Sequence, residues 1–166
     1  MEDLEYKPKW LKGPTQEQVR ARLEPKLKGM TIKERFDIAV MNGVAWLLQE
    51  CTDAGYDPSG DDNWAIKLAS HNGHLGVVKA LLADDRVDPS AASNFAIESA
   101  SINGHIDVVK ALLTDNRVDP STGNNRAIRW ASGNGHLEVV KELLKDKRVR
   151  NKLSREEKIK YKEFLK

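Results

Sequence analysis

The chain has 166 residues, 40% of them hydrophobic and 31% charged, which suits the core of one ordinary domain or of a small repeat array. It holds no run of 18 apolar residues, and its acidic opening lacks the basic and apolar regions of a secretory leader, so an intracellular, cytoplasmic setting without a membrane span is expected. The net charge of +2 is unevenly spread (+1 over residues 1–52, −5 over 53–140, +6 over 141–166), which argues against a uniform nucleic-acid-binding surface.

Residues 1–30 read as an N-terminal extension in which Thr15 to Gln18 start a helix and Pro25 interrupts it. Residues 31–58 read as a degenerate capping repeat. Thr31-Ile32-Lys33-Glu34 is a capping box, Ala39, Asn42, Gly43, Leu47 and Leu48 echo the units that follow, and Asp57-Pro58 closes the segment. Cys51 is the sole cysteine, so an intramolecular disulfide and an all-cysteine metal site are excluded. Its spacing from Leu47 and Leu48 predicts a buried thiol.

Residues 59–152 hold a 31-residue repeat in three copies. Their matching segments begin at Asn63, Asn94 and Asn125, and about half of the positions are identical in all three. Each asparagine stands just before an apolar-periodic run and predicts an N-cap. A short helix follows, ended by Asn72-Gly73 and its equivalents Asn103-Gly104 and Asn134-Gly135, where glycine supplies the left-handed conformation. A second helix carries Leu75, Val78, Leu81 and Leu82 at core-facing spacing. Asp88-Pro89 and Asp119-Pro120 then stop it. Residues 153–166 form a C-terminal capping helix opened by the capping box Ser154-Arg155-Glu156-Glu157 and carrying Ile159, Phe164 and Leu165. One such unit cannot bury its apolar face alone, so the expected fold is all-α, a helix-turn-helix repeat solenoid.

The segment Asn134-Gly135-His136-Leu137-Glu138-Val139-Val140-Lys141-Glu142-Leu143-Leu144 resembles the signature of ankyrin repeats, and Arg86-Val87-Asp88-Pro89 falls where that family leads into its hairpin. The resemblance covers roughly residues 32–150. It departs where the family has Thr-Pro-Leu-His: here stand Trp64-Ala65-Ile66-Lys67 and its counterparts in the other copies. The repeat is also shorter than the family's usual unit, which implies a tighter turn between repeats.

Comparison among the copies separates two stripes on the first helix. Ala65, Ile66, Ala69 and Ser70 are invariant and predict the inward face. Trp64/Phe95/Arg126, Lys67/Glu98/Arg129, Leu68/Ser99/Trp130 and His71/Ile102/Gly133 vary, at i, i+3, i+4 and i+7 on one outward face. Trp and Arg are enriched at binding hot spots. The ankyrin resemblance implies partner binding through this face and the turn tips, here including Asp61 and Ala92. The expectation is a non-catalytic module whose partner is another protein, with no cofactor, no membrane, and nucleic acid disfavoured. The competing readings are gap-filling by the aromatics, an electrostatic binder of nucleic acid or an anionic surface through the basic C-terminal segment (Lys145, Lys147, Arg148, Arg150, Lys152 and onward), and an adaptor whose residues 1–30 recruit a second protein.

Chemistry finds no foothold. His74, His105 and His136 recur once per unit, and stacked units hold equivalent atoms roughly 8–10 Å apart, beyond shared ligation; inter-repeat hydrogen bonding is the expectation. Asp57, Asp61 and Asp62 miss calcium-loop spacing, and no phosphate loop, nucleophile elbow or zinc-protease motif occurs.

Overall fold

A computed structural model describes residues 15–164. The chain divides into two units, Met1–Thr31 and Ile32–Lys166. In the first, α1 (Gln16–Leu27) opens with a capping box in which the Gln18 N–H donates to Thr15 Oγ1 and the Thr15 N–H donates back to Gln18 Oε1. Pro25 does not interrupt it. It lies in the last turn, where only its own missing N–H is lost before the helix ends. Residues 1–14, nearly half of the extension, and Leu165 lie outside the described residues.

The second unit is a stack of helix pairs, and no strand occurs among the described residues. The pairs are α2 (Ile32–Asn42) with α3 (Ala45–Asp53), α4 (Gly60–His71) with α5 (Leu75–Leu82), α6 (Ala91–Ile102) with α7 (Ile106–Leu113), and α8 (Thr122–Gly133) with α9 (Leu137–Leu143). First helices pack on first helices and second on second, so two layers run along the stack. Ala69 and its equivalents Ala100 and Ala131 are fully buried, and their methyl groups let neighbouring first helices approach. Val78, Leu81 and their counterparts Val109, Leu112, Val140 and Leu143 fill the space between layers. Burying one such leucine contributes roughly 1.5–3 kcal/mol, and truncating one to alanine removes about 2–5 kcal/mol because a void is left.

The first helix of each full repeat ends in a Schellman motif. In the first full repeat the His74 N–H donates to the Ala69 carbonyl (2.9 Å) and the Gly73 N–H to the Ser70 carbonyl (3.4 Å), with Gly73 at φ +74°. The start of each first helix differs from the sequence expectation. Asn63, Asn94 and Asn125 are not N-caps. Each is the third residue of a left-handed turn, Asp61–Asn63, Ala92–Asn94 and Gly123–Asn125, with φ between 52° and 64°. Asn63 Oδ1 accepts from the Asp88 N–H (2.7 Å), and Asn94 Oδ1 from the Asp119 N–H (2.6 Å), each 25 residues further on. The amide ties the start of its own repeat to the loop at that repeat's end instead of capping the helix. Asparagine tolerates the left-handed region better than most residues, which fits its recurrence here.

The third copy ends differently. Where the others have Asp-Pro, it has Arg150-Asn151, so nothing forbids a helix and α10 (Lys147–Asn151) forms. Its Arg150 N–H bonds within the helix, and Asn125 instead donates through Nδ2 to the Val149 carbonyl (3.0 Å). Then α11 (Arg155–Lys160) begins with the capping box of Ser154 and Glu157. Leu153 and Tyr161 are buried, while Ile159 stands exposed.

Candidate functional site

The outward stripe is carried by α4, α6 and α8, whose inward faces are fixed by Ile66, Ile97 and Ile128, each almost wholly buried. With that stripe pinned, the 3.6-residue period turns the varying positions away from the core. Phe95 is 43% exposed and Trp130 47%. Arg126, Arg129 and His71 are exposed, as are Asp61 and Ala92 at the turns. Trp64, Lys67, Leu68, Glu98 and Ile102 are half-buried.

Ser99 does not belong to the exposed set. It is only 3% exposed, and its Oγ lies 3.0 Å from Nδ1 of His71 on the preceding repeat. The small serine leaves room for that imidazole, which covers it.

The stripe also extends further than the three full copies suggest. Aligning Asn42-Gly43 with Asn72-Gly73 places Met41 at the position of His71 and Ile102, and Met41 is 57% exposed. The signal was present in the glycine turn of the degenerate unit. It was missed because the residues around that turn are otherwise divergent.

Ion pairs knit the stripe across repeats. Arg126 Nη1 donates to Glu98 Oε2 at 3.2 Å, one repeat back, and Arg129 Nε lies 3.9 Å from Glu157 Oε1 of α11. Lys67 pairs with Asp62 at 2.9 Å and Lys33 with Asp37 at 2.9 Å. Such half-exposed pairs set local order and charge pattern more than stability. Glu98, Gly123, Arg126, Arg129, Trp130 and Gly133 line an open groove of about 540 Å³. Gly123 matters to it: a Cβ there would come within 3.0 Å of Arg126 Nε.

The basic C-terminal segment is less available than its charge implies. Arg148 pairs with Asp146 at 2.7 Å, and Lys145 with Glu142 at 2.7 Å. Arg150 Nη1 donates to the Leu144 and Lys145 carbonyls (2.6 and 2.8 Å), and Lys152 Nζ to the Ser121 carbonyl (3.2 Å). Two of its cations, Arg150 and Lys152, therefore hold backbone carbonyls of the last repeat, and two more sit in local ion pairs. The clamp between Asp146 and Arg148 has counterparts upstream, where Asp84 holds Arg86 and Asp115 holds Arg117.

The histidines do as their spacing predicts. Nε2 of His74, His105 and His136 donates to the carbonyls of Met41, His71 and Ile102 at 3.0, 2.9 and 3.1 Å. A carbonyl only accepts, so Nε2 carries the proton. No group of three metal-ligating side chains converges among the described residues. The Cys51 thiol is buried, and that burial pushes its pKa up, away from nucleophilic reactivity.

These features define a helical-repeat solenoid with an exposed, variable first-helix face. A family model described as ankyrin repeats (3 copies) matches residues 36–124 and 69–156, and the chain belongs to the ankyrin-repeat family. The family's members are generally protein–protein interaction modules and generally non-catalytic. No curated protein matches the chain. No helix among the described residues is long and apolar enough to cross a membrane.

Proposed function

We propose that this chain binds another protein through the first-helix face and turn tips of its stacked repeats, without catalysis. The observation that carries the reading is the pair Phe95 and Trp130, two large side chains left nearly half exposed on the variable stripe. An apolar stripe on a folded chain costs solubility unless a partner covers it. Trp64 and Leu68 continue it as half-buried flanks, and Met41 extends it toward the N-terminal end. The basic C-terminal segment serves this reading as a cap, since Arg150 and Lys152 hold carbonyls of the last repeat.

Affinity capture from a cell extract tests it, with wild type set beside a Phe95→Ala/Trp130→Ala variant of matched thermal stability. A partner held by wild type at high salt and lost by the variant supports the stripe. Equal retention by both proteins, abolished by modest salt, moves the function to the charged surfaces.

A further inference from the structure

Resting on that reading, the groove over the third repeat specifies what the partner presents. We infer that it receives an acidic side chain adjoining a large apolar one, the carboxylate on Arg129 and the apolar group against Trp130.

Four observations converge. The Arg129 side chain makes no hydrogen bond among the described residues, and its one ion-pair contact, Glu157 Oε1, is 3.9 Å away. Glu157 is held in place by the cap of α11, where its Oε2 accepts from the Ser154 N–H at 2.9 Å, and its Oε1 stays 3.9 Å from Arg129. The guanidinium therefore keeps its planar fork of donors turned to an opening, and that fork matches a carboxylate better than any other side chain's donors do.

The helix-borne charges Lys67 and Glu98 of the stripe are paired. Lys67 and Lys33 sit at 2.9 Å from aspartates, and Glu98 is neutralised by Arg126 at 3.2 Å. A basic partner residue would have to displace Arg126, which donates to Glu98 at 3.2 Å, whereas an acidic one competes at Arg129 only with the 3.9 Å approach of Glu157. Finally, Gly133 leaves empty the position that Met41, His71 and Ile102 fill in the preceding units, and nothing lies within 4 Å of where its Cβ would stand. The vacancy lies three residues beyond Trp130, on the same helix face. It turns a flat stripe into a groove with an indole wall.

The test titrates the full chain, isotope-labelled at its tryptophan indoles, with three nine-residue probes. One has four glutamates around a Leu-Phe pair; the second replaces the glutamates by lysines; the third replaces Leu-Phe by glycines. The Trp130 indole signal is assigned with Trp130→Phe. The inference expects the first probe to shift that signal and to bind at least about tenfold tighter than either other probe, the weight of one lost charge-assisted hydrogen bond or one lost apolar anchor. Arg129→Gln should weaken the first probe about tenfold, and Arg129→Lys should recover part of that loss, which a merely structural role for Arg129 would not produce.

Tighter binding of the lysine probe, or an Arg129→Gln variant that binds the first probe as wild type does, overturns the acidic specificity and leaves the stripe intact as a docking face. No probe shifting Trp130 overturns the groove itself. If extract capture is then also insensitive to Phe95→Ala/Trp130→Ala, the broader reading falls with it.

Discussion

The imidazole of His105 occupies the space that Gly73 leaves open. His105 Nε2 donates to the His71 carbonyl at 2.9 Å, and a Cβ built on Gly73 would lie 2.6 Å from His105 Nδ1. The same relation joins His74 to Gly43 and His136 to Gly104. The glycine is therefore required twice, once for its left-handed φ and once for its missing side chain. The histidine turns the end of one first helix into an acceptor for the next repeat, which couples folding of neighbours in the stack.

Gly73→Ala should destabilise the chain by roughly 2–3 kcal/mol through strain at positive φ and displacement of the imidazole. His105→Ala should cost about 1–2 kcal/mol for the lost hydrogen bond and packing. The double variant should lose less than the two together, because removing the ring relieves the clash. Urea unfolding of the four proteins reads this as a coupling energy, and strict additivity would show that ring and glycine do not meet.

Asn94→Ala should destabilise by about 2 kcal/mol, since the Asp119 N–H loses its acceptor and alanine resists φ +64°. Asn94→Gly restores the backbone freedom and should recover part of that loss. An N-cap role would give the same order but a smaller gap, because there glycine falls only a few tenths of a kcal/mol short of asparagine, whereas loss of the Asp119 acceptor should leave Asn94→Gly about 1 kcal/mol below wild type. Thermal or urea melts of the three proteins separate the two accounts.

Acid should loosen the stack at its aspartate clamps. The side-chain hydrogen bond from Arg117 holds the Asp115 carboxyl below the ordinary carboxylate range, and Arg86 and Arg148 do the same for Asp84 and Asp146. A pKa lowered by folding stabilises the fold above the unfolded value, about 3.9 for aspartate. That stability is lost as pH falls through the folded value beneath it. Stability is thus predicted to hold from pH 7 down to about 5 and to decline below about 4. Asp115→Asn should start less stable at pH 7 and decline less steeply below pH 4. A decline as steep as that of wild type would show that this clamp contributes nothing to the acid response.

Removing the exposed aromatics should leave the fold alone. Phe95→Ala and Trp130→Ala are each expected to change unfolding stability by about 1 kcal/mol or less, against about 2–5 kcal/mol for Leu112→Ala in the core. Denaturant midpoints check this directly. A large loss at Phe95 or Trp130 would mean that they fill gaps between repeats.

What the sequence made legible is what repeats locally. The 31-residue period, the Asn-Gly turns and the Ala69 and Leu81 positions all follow from short-range patterns, and the helix stack follows from them. The role of Asn63 and Asn94 was not legible, because a residue just before a helix looks like a cap. Its true partner lies 25 residues away, across a turn whose left-handed course no local propensity announces. Ser99 was misplaced for a related reason. Its helical position faces outward, and only the imidazole of His71 from the neighbouring unit buries it. Helical phase predicts direction from an axis, but cover is supplied by side chains from elsewhere.

The most direct test of partner binding through the first-helix face is site-specific photo-crosslinking in a cell extract. A photoreactive phenylalanine analogue is placed singly at Phe95, Trp130, Lys79 or Lys110, the last two being exposed on second helices α5 and α7. The account predicts that the same partner is captured from positions 95 and 130 and from neither lysine position. Capture from Lys79 or Lys110 with none from Phe95 and Trp130 would contradict it and place the interaction on the second-helix layer.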